Sequence, residues 1–376
     1  MRRQPLEQDV FVLFGGVGVP AVECGSERWQ LCGRASLRDV SSQCFADDRG
    51  SRLAGVLRVK LQVPLQCFRN EDSRTFHGRM IAYVIRHMIV HLIDGTYELF
   101  RHFYGLRSKG LPRRSPAVAS AKAGEGGPDR PFGAVAGVLG TIVQMLEEGA
   151  THIGVATDHV IESFRNDLWP GYKTGEGIDP ALWAQFHPLE DALVAMGVTT
   201  WAMVELEADD ALASAAHLAA LDLQVEKVCI WTPDKDLAQC VSGDRVVQVD
   251  RRSGEIRNDA RVVAKFGVPP AFIPDYLALV GDSADGYPGV PGIGGKTAAR
   301  LIAQHGHLEQ FPASALGENR QHALLFKQLA TLRTDAPLFE NVEEIKWTGP
   351  TPAFASVVEK IGSPRLAERT GRLRFR

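Results

Sequence analysis

The chain has 376 residues, 45% of them hydrophobic and 23% charged, with a net charge of −3. That length suits two domains of ordinary globular composition and excludes disorder throughout. No run of about 18 apolar residues occurs, so a membrane-spanning protein is not expected, and the slight acidity argues against bulk polyanion binding while allowing a local basic face or carboxylates gathered around metal ions.

Residues 1–87 stand apart. They carry 12 Arg and one Lys against nine acids, a net charge of +4 that leaves −7 for the remainder. They show no sustained helical or strand period. Four of the six cysteines, Cys24, Cys32, Cys44 and Cys67, fall here without the close pairing of a zinc site. Cys229 and Cys240 lie in or near apolar runs, and all six are expected to be reduced and cytosolic. Residues 10–22 imitate the core of a signal peptide, but Glu7 and Asp9 before them argue against one. The expectation is a poorly ordered or dispensable extension, with Met80 or Met88 as alternative starts.

From Met88 the pattern is clear. MIVHLID (88–94) predicts a buried strand ending at Asp94-Gly95. Residues 105–131 predict a long exposed loop, with Arg107, Lys109, Arg113, Arg114, Lys122 and Arg130 on it. A helix over 132–148 and a strand over 151–158 follow, the strand again ending in Asp. Residues 159–178 are polar and glycine-containing and predict a mobile connection. Asp179-Pro180 then opens a helix. Strands over 198–204, 227–234 and 245–250, with a helix over 207–222, predict a mostly parallel α/β sheet over 88–258. Short helices at 262–267, 270–281, 294–306 and 322–334 predict a helical second unit over 259–345, and 346–376 reads as a C-terminal tail that is basic over 364–376.

The acids fall at element ends. Asp94, Asp158 and Asp234 close three strands, and the carboxyl edge of a parallel sheet is where ligands bind. Glu207, Asp209 and Asp210 open the helix after the 198–204 strand; Asp236 follows Asp234, and Asp282 and Asp285 flank a turn. Such a set, if convergent, needs counter-charge. Divalent cations supply it, and two of them about 3.5–4 Å apart suit metal-assisted phosphodiester hydrolysis.

Five ordered blocks carry a resemblance: IDGTYELFRHF (93–103), ATDHVIESFRNDLWPGYK (156–173), ELEADDALAS (205–214), TPDKDLAQCV (232–241) and GDSADGYPGVPGIGGKTA (281–298). FGVPPAFIPDYLALVGD (266–282) and KQLATLRTDAPL (327–338) extend it. Over roughly residues 88–345 the chain resembles the 5′-nuclease domain of bacterial DNA polymerase I and its stand-alone relatives, the 5′-3′ exonucleases and flap endonucleases. The resemblance implies a PIN-like (resolvase-like) sheet with flanking helices, followed by an all-helical helix–three-turn–helix DNA-binding unit. It implies cutting of DNA at 5′ flaps and 5′ ends, in repair or Okazaki-fragment processing, with two or more Mg²⁺ or Mn²⁺ ions. Too little chain follows residue 345 to build a polymerase, so none is expected. The expected setting is a cytoplasmic monomer with no membrane partner and no protein partner specified.

By motif position all nine acids match the family's metal-site residues. Glu207, Asp209 and Asp210, with Asp94 and Asp158, would serve a first site; Asp234, Asp236, Asp282 and Asp285 would serve a second. Arg165, Tyr172 and Lys173 match the start of the family's helical arch. Lys173 is expected to stabilise charge on the scissile phosphate, and Arg165 to assist it or clamp phosphate. Gly292, Gly294, Gly295, Lys296 and Thr297 match the element that holds duplex phosphates on a helix N-terminus, in relatives often with K⁺ on loop carbonyls. The chain departs from the pattern at Thr174-Gly175-Glu176-Gly177, where further basic residues are usual, at Gly286, where Asn is common, and at Ala136, where relatives often carry Tyr. Two rival readings remain: a PIN-type ribonuclease and a non-catalytic branched-DNA-binding protein.

Overall fold

A computed structural model of the chain describes residues 88–110 and 131–373, without the side chains of 106–110, and the backbone of four strands within residues 1–87. Those strands are β1 (Glu7–Phe14), β2 (Ser36–Ala46), β3 (Arg52–Gln62) and β4 (Ala82–Val84), paired antiparallel in the order β2-β3-β1-β4. The reading that this segment has no strand period is thereby corrected. Leu53, Leu57, Val59 and Leu61 recur at even spacing in the sequence of β3, the period of two that a strand requires. Cys24, Cys32, Cys67 and the side chain of Cys44 lie outside the described residues, as do the expected loop cations from Arg107 to Arg130.

Residues 88–376 form a separate compact unit. Its organiser is β5 (Met88–Asp94), whose Val90, Leu92 and Ile93 are fully buried. The helix α1 (Gly95–Gly110) leaves it directly and takes in the first residues of the expected long loop. Next come α2 (Gly133–Glu147), β6 (His152–Asp158), α3 (Phe164–Leu168), α4 (Pro180–Trp183), α5 (Phe186–Ala195), β7 (Thr199–Met203), α6 (Ala208–Leu221), β8 (Val225–Trp231), β9 (Val246–Asp250) and β10 (Glu255–Arg257). The sheet order is β10-β9-β8-β5-β6-β7, parallel except for the β9–β10 pair. β10 is too short to show a period in sequence.

Side-chain alternation along β5 sorts the core into two layers. Ile93 joins α2 and α5 on one face; Val90 and Leu92 join α6 on the other. The α6 face is built from alanines, Ala208, Ala211, Ala215 and Ala219, which let the helix backbone approach the sheet closely. Chain order makes β5 the turning point: β6 and β7 extend the sheet on one side, β8 and β9 on the other. Ligands of open α/β sheets bind outside the strand ends at such a point.

The helical half comprises α7 (Asp259–Phe266), α8 (Ile273–Val280), α9 (Gly295–His305), α10 (Ala313–Leu316) and α11 (Arg320–Ala330). Its core includes Tyr172, Ala238 and Val241 from the sheet half, so the two halves share one interior. The chain then returns to the sheet. Val342 and Ile345 bury on the α6 side, and the Trp347 amide donates to the Thr151 carbonyl at 2.8 Å. The expected basic tail is corrected here: α12 (Phe354–Lys360) and α13 (Arg365–Gly371) bury Phe354, Val358, Ile361 and Leu366 against α2 and α5, and Arg369 pairs with Glu147 at 2.7 Å. Each helix is only seven residues long, too short to show a helical period, so neither announced itself.

Among the described residues no single helix is long and apolar enough to cross a membrane. Because residues 88–376 hold their own cores, removing residues 1–87 is expected to leave the thermal midpoint of that unit unchanged within about 2 °C, as read by circular dichroism. A loss of the cooperative melt would make the N-terminal sheet a structural partner.

Candidate active site

The strand ends deliver their acids as expected. Asp94, at the end of β5, is buried; its carboxylate accepts from the Tyr97 amide at 2.8 Å and the Thr232 hydroxyl at 3.0 Å. Asp158, at the end of β6, accepts from the Ala208 amide at 2.8 Å and so ties itself to the start of α6. Asp209 lies half-buried in the first turn of α6, and Asp234, three residues beyond β8, is exposed. These four carboxylates repel one another: Asp234 and Asp94 both add to what burial does to Asp209, and Asp158 and Asp234 do the same to Asp94.

Asp236, Asp282 and Asp285 form a second, buried group, with one oxygen of each within 4.8 Å of the others. Asp236 Oδ1 is buried with no hydrogen-bond partner among the described residues. A buried, unpartnered carboxylate oxygen is costly unless a cation meets it. The donors are all carboxylate oxygens, which suits a hard divalent cation such as Mg²⁺ or Mn²⁺. Asp234 repels Asp94, Asp209 and Asp236 alike, so the acids act on one another as a set.

Asp210 does not belong to it. This residue is fully buried, and its two oxygens accept from Arg165 Nη1 and Nη2, each at 2.7 Å, from the Glu207 amide at 3.0 Å and from the Arg333 amide at 2.9 Å. Four donors use up a carboxylate's lone pairs, so the metal-ligand expectation for Asp210 is corrected. The phosphate-clamp expectation for Arg165 falls with it. Its side chain is 1% exposed and spends its remaining donors on Glu207 Oε1 at 3.0 Å and on the Leu329 and Thr331 carbonyls at 2.8 and 3.3 Å. Arg165 is a buried brace joining α3, α6 and the end of α11.

Tyr172 is likewise buried, in the helical core, and donates its hydroxyl to Glu207 Oε2 at 3.3 Å. The expectation that it touches nucleic acid is corrected. Glu207 is thus held by Tyr172, Arg165 and Ser163, the last donating at 2.7 Å. Lys173 completes the set: its Nζ lies 2.6 Å from Glu207 Oε2 and 3.2 Å from Asp285 Oδ1. Burial opposes the Lys173 charge, but Glu207 and Asp285 outweigh it and raise its pKa well above the ordinary lysine value. Burial likewise opposes the Glu207 charge, yet Lys173 and Arg165 hold its carboxyl below the ordinary value. Lys173 is therefore a firm cation between the two acid groups.

Sequence reasoning missed Lys235, whose Nζ lies 2.7 Å from Asp282 Oδ2. Its position between Asp234 and Asp236 was the available signal. It also missed Ser163 and Thr232, which orient Glu207 and Asp94 through their hydroxyls.

The phosphate-binding candidates lie together at the start of α9. Gly294 is the N-cap and offers no side-chain cap, Lys296 is exposed and Thr297 half-buried. Gly292 has φ +80°, a backbone conformation that disfavours a side chain, and a Cβ at Gly295 would sit 2.5 Å from the Tyr276 hydroxyl, which would have to move aside. The 159–178 connection folds back on itself: the Gly175 amide donates to Glu162 at 3.0 Å, and Trp169 Nε1 donates to the Gly286 carbonyl at 3.0 Å.

Residues 89–267 match the family model described as the 5′-3′ exonuclease N-terminal resolvase-like domain, and residues 268–353 match that of the 5′-3′ exonuclease C-terminal SAM fold. The chain belongs to the 5′-3′ exonuclease family. DNA polymerase I of Mycobacterium leprae is 31% identical over 270 residues, and that of Pseudomonas aeruginosa 33% over 275. Each alignment covers 68% of this chain and 28% of the polymerase, so the chain spans under a third of those relatives' length. The T5 5′-exonuclease with divalent metal ions (zinc) bound shares the fold, with a TM-score of 0.50 at 19% identity over 76% of this chain and 98% of that one. The T5 D15 protein co-crystallized with metal ions gives a TM-score of 0.51 at 18% identity over the same shares.

The departures of this exonuclease-family chain have structural settings. Gly286 has φ +81°, and a Cβ there would lie 1.9 Å from the Gly171 carbonyl, so the connection packs where a side chain would stand. Glu176 and Gly177 are exposed and leave that stretch without basic charge.

The acids also set a pH dependence. Burial, reinforced by Asp158 and Asp234, pushes the Asp94 carboxyl from 3.8 up to about 7. Asp209 and Asp236 are raised well above the ordinary value, first by burial and then by Asp234. The folded state holds protons that the unfolded chain has released. This destabilisation is full above about pH 7 and fades as pH falls towards 3.8. A divalent cation competes with those protons, so its affinity rises with pH. The thermal midpoint in EDTA is expected to fall between about pH 6 and about pH 8, and excess Mg²⁺ to raise it more at the higher pH. A Mg²⁺ effect equal at both would place the cation away from these acids.

Proposed function

We propose that this chain is a divalent-metal-dependent 5′-3′ exonuclease and flap endonuclease, hydrolysing phosphodiester bonds in DNA with 5′ flaps or 5′ ends. The observation that carries the reading is the buried group Asp236, Asp282 and Asp285, with Asp236 Oδ1 unpartnered, together with Asp94, Asp158, Asp209 and Asp234 near the turning point of the sheet, whose charges act on one another. The carboxylates would hold Mg²⁺ or Mn²⁺. Bound there, such ions supply Lewis acidity that lowers the pKa of an attacking water and neutralises charge on the phosphate.

The protein's own groups do the remaining work. Thr232 and the Tyr97 amide orient Asp94, and Ser163, Tyr172 and Arg165 orient Glu207. Lys173, partly exposed between Glu207 and Asp285, is placed to meet the scissile phosphate and offset the charge that builds on it. The amides opening α9, with Lys296 beside them, hold backbone phosphates without reading sequence. The activity proposed is hydrolysis, in the cytoplasm, by a monomer.

The test is a 5′-labelled flap duplex incubated with purified protein in Mg²⁺ and in EDTA. Metal-dependent release of the flap near its junction supports the reading. Branched-DNA binding without cutting would replace it with a non-catalytic binding function, and preferential cutting of single-stranded RNA would replace it with a ribonuclease.

A further inference from the structure

A second cluster of ligating side chains lies beside the acids but shares none of them. β6 runs through Thr157 and Asp158 into His159, and α5 presents His187 and Glu190 one turn apart on one face. Glu190 is buried. Its Oε1 accepts from the Thr157 hydroxyl at 2.9 Å, and its Oε2 lies 2.7 Å from His159 Nδ1. The His159 and His187 rings lie 4.2 Å apart between centroids, tilted by 52°. One donor atom from each of the three residues falls within 4.8 Å of the other two.

A comparable group on the helical half, Asp275, His307 and Glu309, already has its cation: Lys327 Nζ lies 2.8 Å from both Asp275 Oδ1 and Glu309 Oε2. Among the described residues no lysine or arginine pairs with Glu190. Two imidazoles and one carboxylate, with a face open to water, form the donor set that borderline transition metals prefer. Mg²⁺ favours oxygen donors and retained waters instead.

We propose that His159, His187 and Glu190 form a transition-metal site, for Zn²⁺ or an ion of its class, separate from the acidic centre. Its consequence is mechanical. His159 and His187 bracket residues 160–186, the segment that carries Arg165, Tyr172 and Lys173 and contains Gly171, Gly175 and Gly177. An ion shared by both histidines ties the two feet of that segment together, one residue from Asp158. Thr157 serves as a positioning residue by fixing the Glu190 carboxylate.

The test reads metal uptake and does not depend on the nuclease reading. The full chain, stripped of metal and held in excess Mg²⁺ to fill the acidic centre, is titrated with Co²⁺. A four-coordinate site with nitrogen donors gives far stronger visible absorption than a six-coordinate carboxylate site. One equivalent of strongly absorbing Co²⁺ is expected, displaced by Zn²⁺. His187→Ala, at an exposed position, is expected to abolish the band, and Asp209→Ala to keep it. Zn²⁺ is also expected to raise the thermal midpoint of the parent chain and not that of His187→Ala. Absence of the band in the parent, or a band that survives His187→Ala or is lost in Asp209→Ala, would overturn the site and leave a hydrogen-bonded His–Glu–Thr network.

Discussion

Asp209→Ala is expected to slow metal-dependent flap cleavage by about 10³-fold, the scale set by removing one preorganised group that stabilises a transition state. The same substitution is expected not to destabilise the metal-free protein. Asp209 is raised well above the ordinary carboxyl value by burial, then by Asp234 and Asp94, so its charge opposes folding when no cation is bound. Removing it relieves that repulsion, and the thermal midpoint in EDTA should stay level or rise. Single-turnover cleavage and a thermal melt in EDTA together check the claim. A fall in both would make Asp209 a structural residue, and unchanged cleavage would take it out of the reaction.

Arg165 and Lys173 are eight positions apart and both basic, yet their replacement should have opposite signatures. Arg165→Ala leaves Asp210 fully buried without its bidentate partner and frees the Leu329 and Thr331 carbonyls. Breaking one side of a buried pair costs about 3–5 kcal/mol. In a unit of this size that lowers the midpoint by roughly 5–8 °C. Lys173→Ala leaves Glu207 with Arg165, Tyr172 and Ser163, so the fold should hold. Cleavage should fall by about 10²–10³-fold through loss of charge at the phosphate. Thermal melts and single-turnover rates on both variants decide it. An Arg165→Ala protein that melts normally but fails to cleave would return Arg165 to the substrate.

The alternation of apolar runs with turns made the parallel sheet legible, since MIVHLID and HIGVATD are short apolar runs that each end in Asp at the same edge. Three of the nine acids, Asp94, Asp158 and Asp234, could be placed at one edge for that reason. Glu207 is there too, though the structure shows its oxygens already held. Asp210 was not separable from Asp209 in sequence, because neighbours in the first turn of a helix share its composition and differ only in the direction they face. Asp209 faces the acids, while Asp210 faces Arg165 and the Arg333 amide, which arrives from 123 residues away.

Local order therefore came from the chain itself. Strand and helix periods, the Asp-terminated strands, the glycine turn before α9 and the family blocks are all short-range patterns, set by backbone sterics and by which face meets water. Tertiary structure alone decided which charges act and which brace. Arg165 became a strut because α11 brings the Leu329 carbonyl to it across 164 residues. The C-terminal stretch became two core helices because α2 and α5 leave an apolar face that Phe354, Val358 and Leu366 cover. Partners brought by distant elements separate Asp210, whose oxygens are filled, from Asp236, whose Oδ1 is left unpartnered, and no neighbour in sequence reports them.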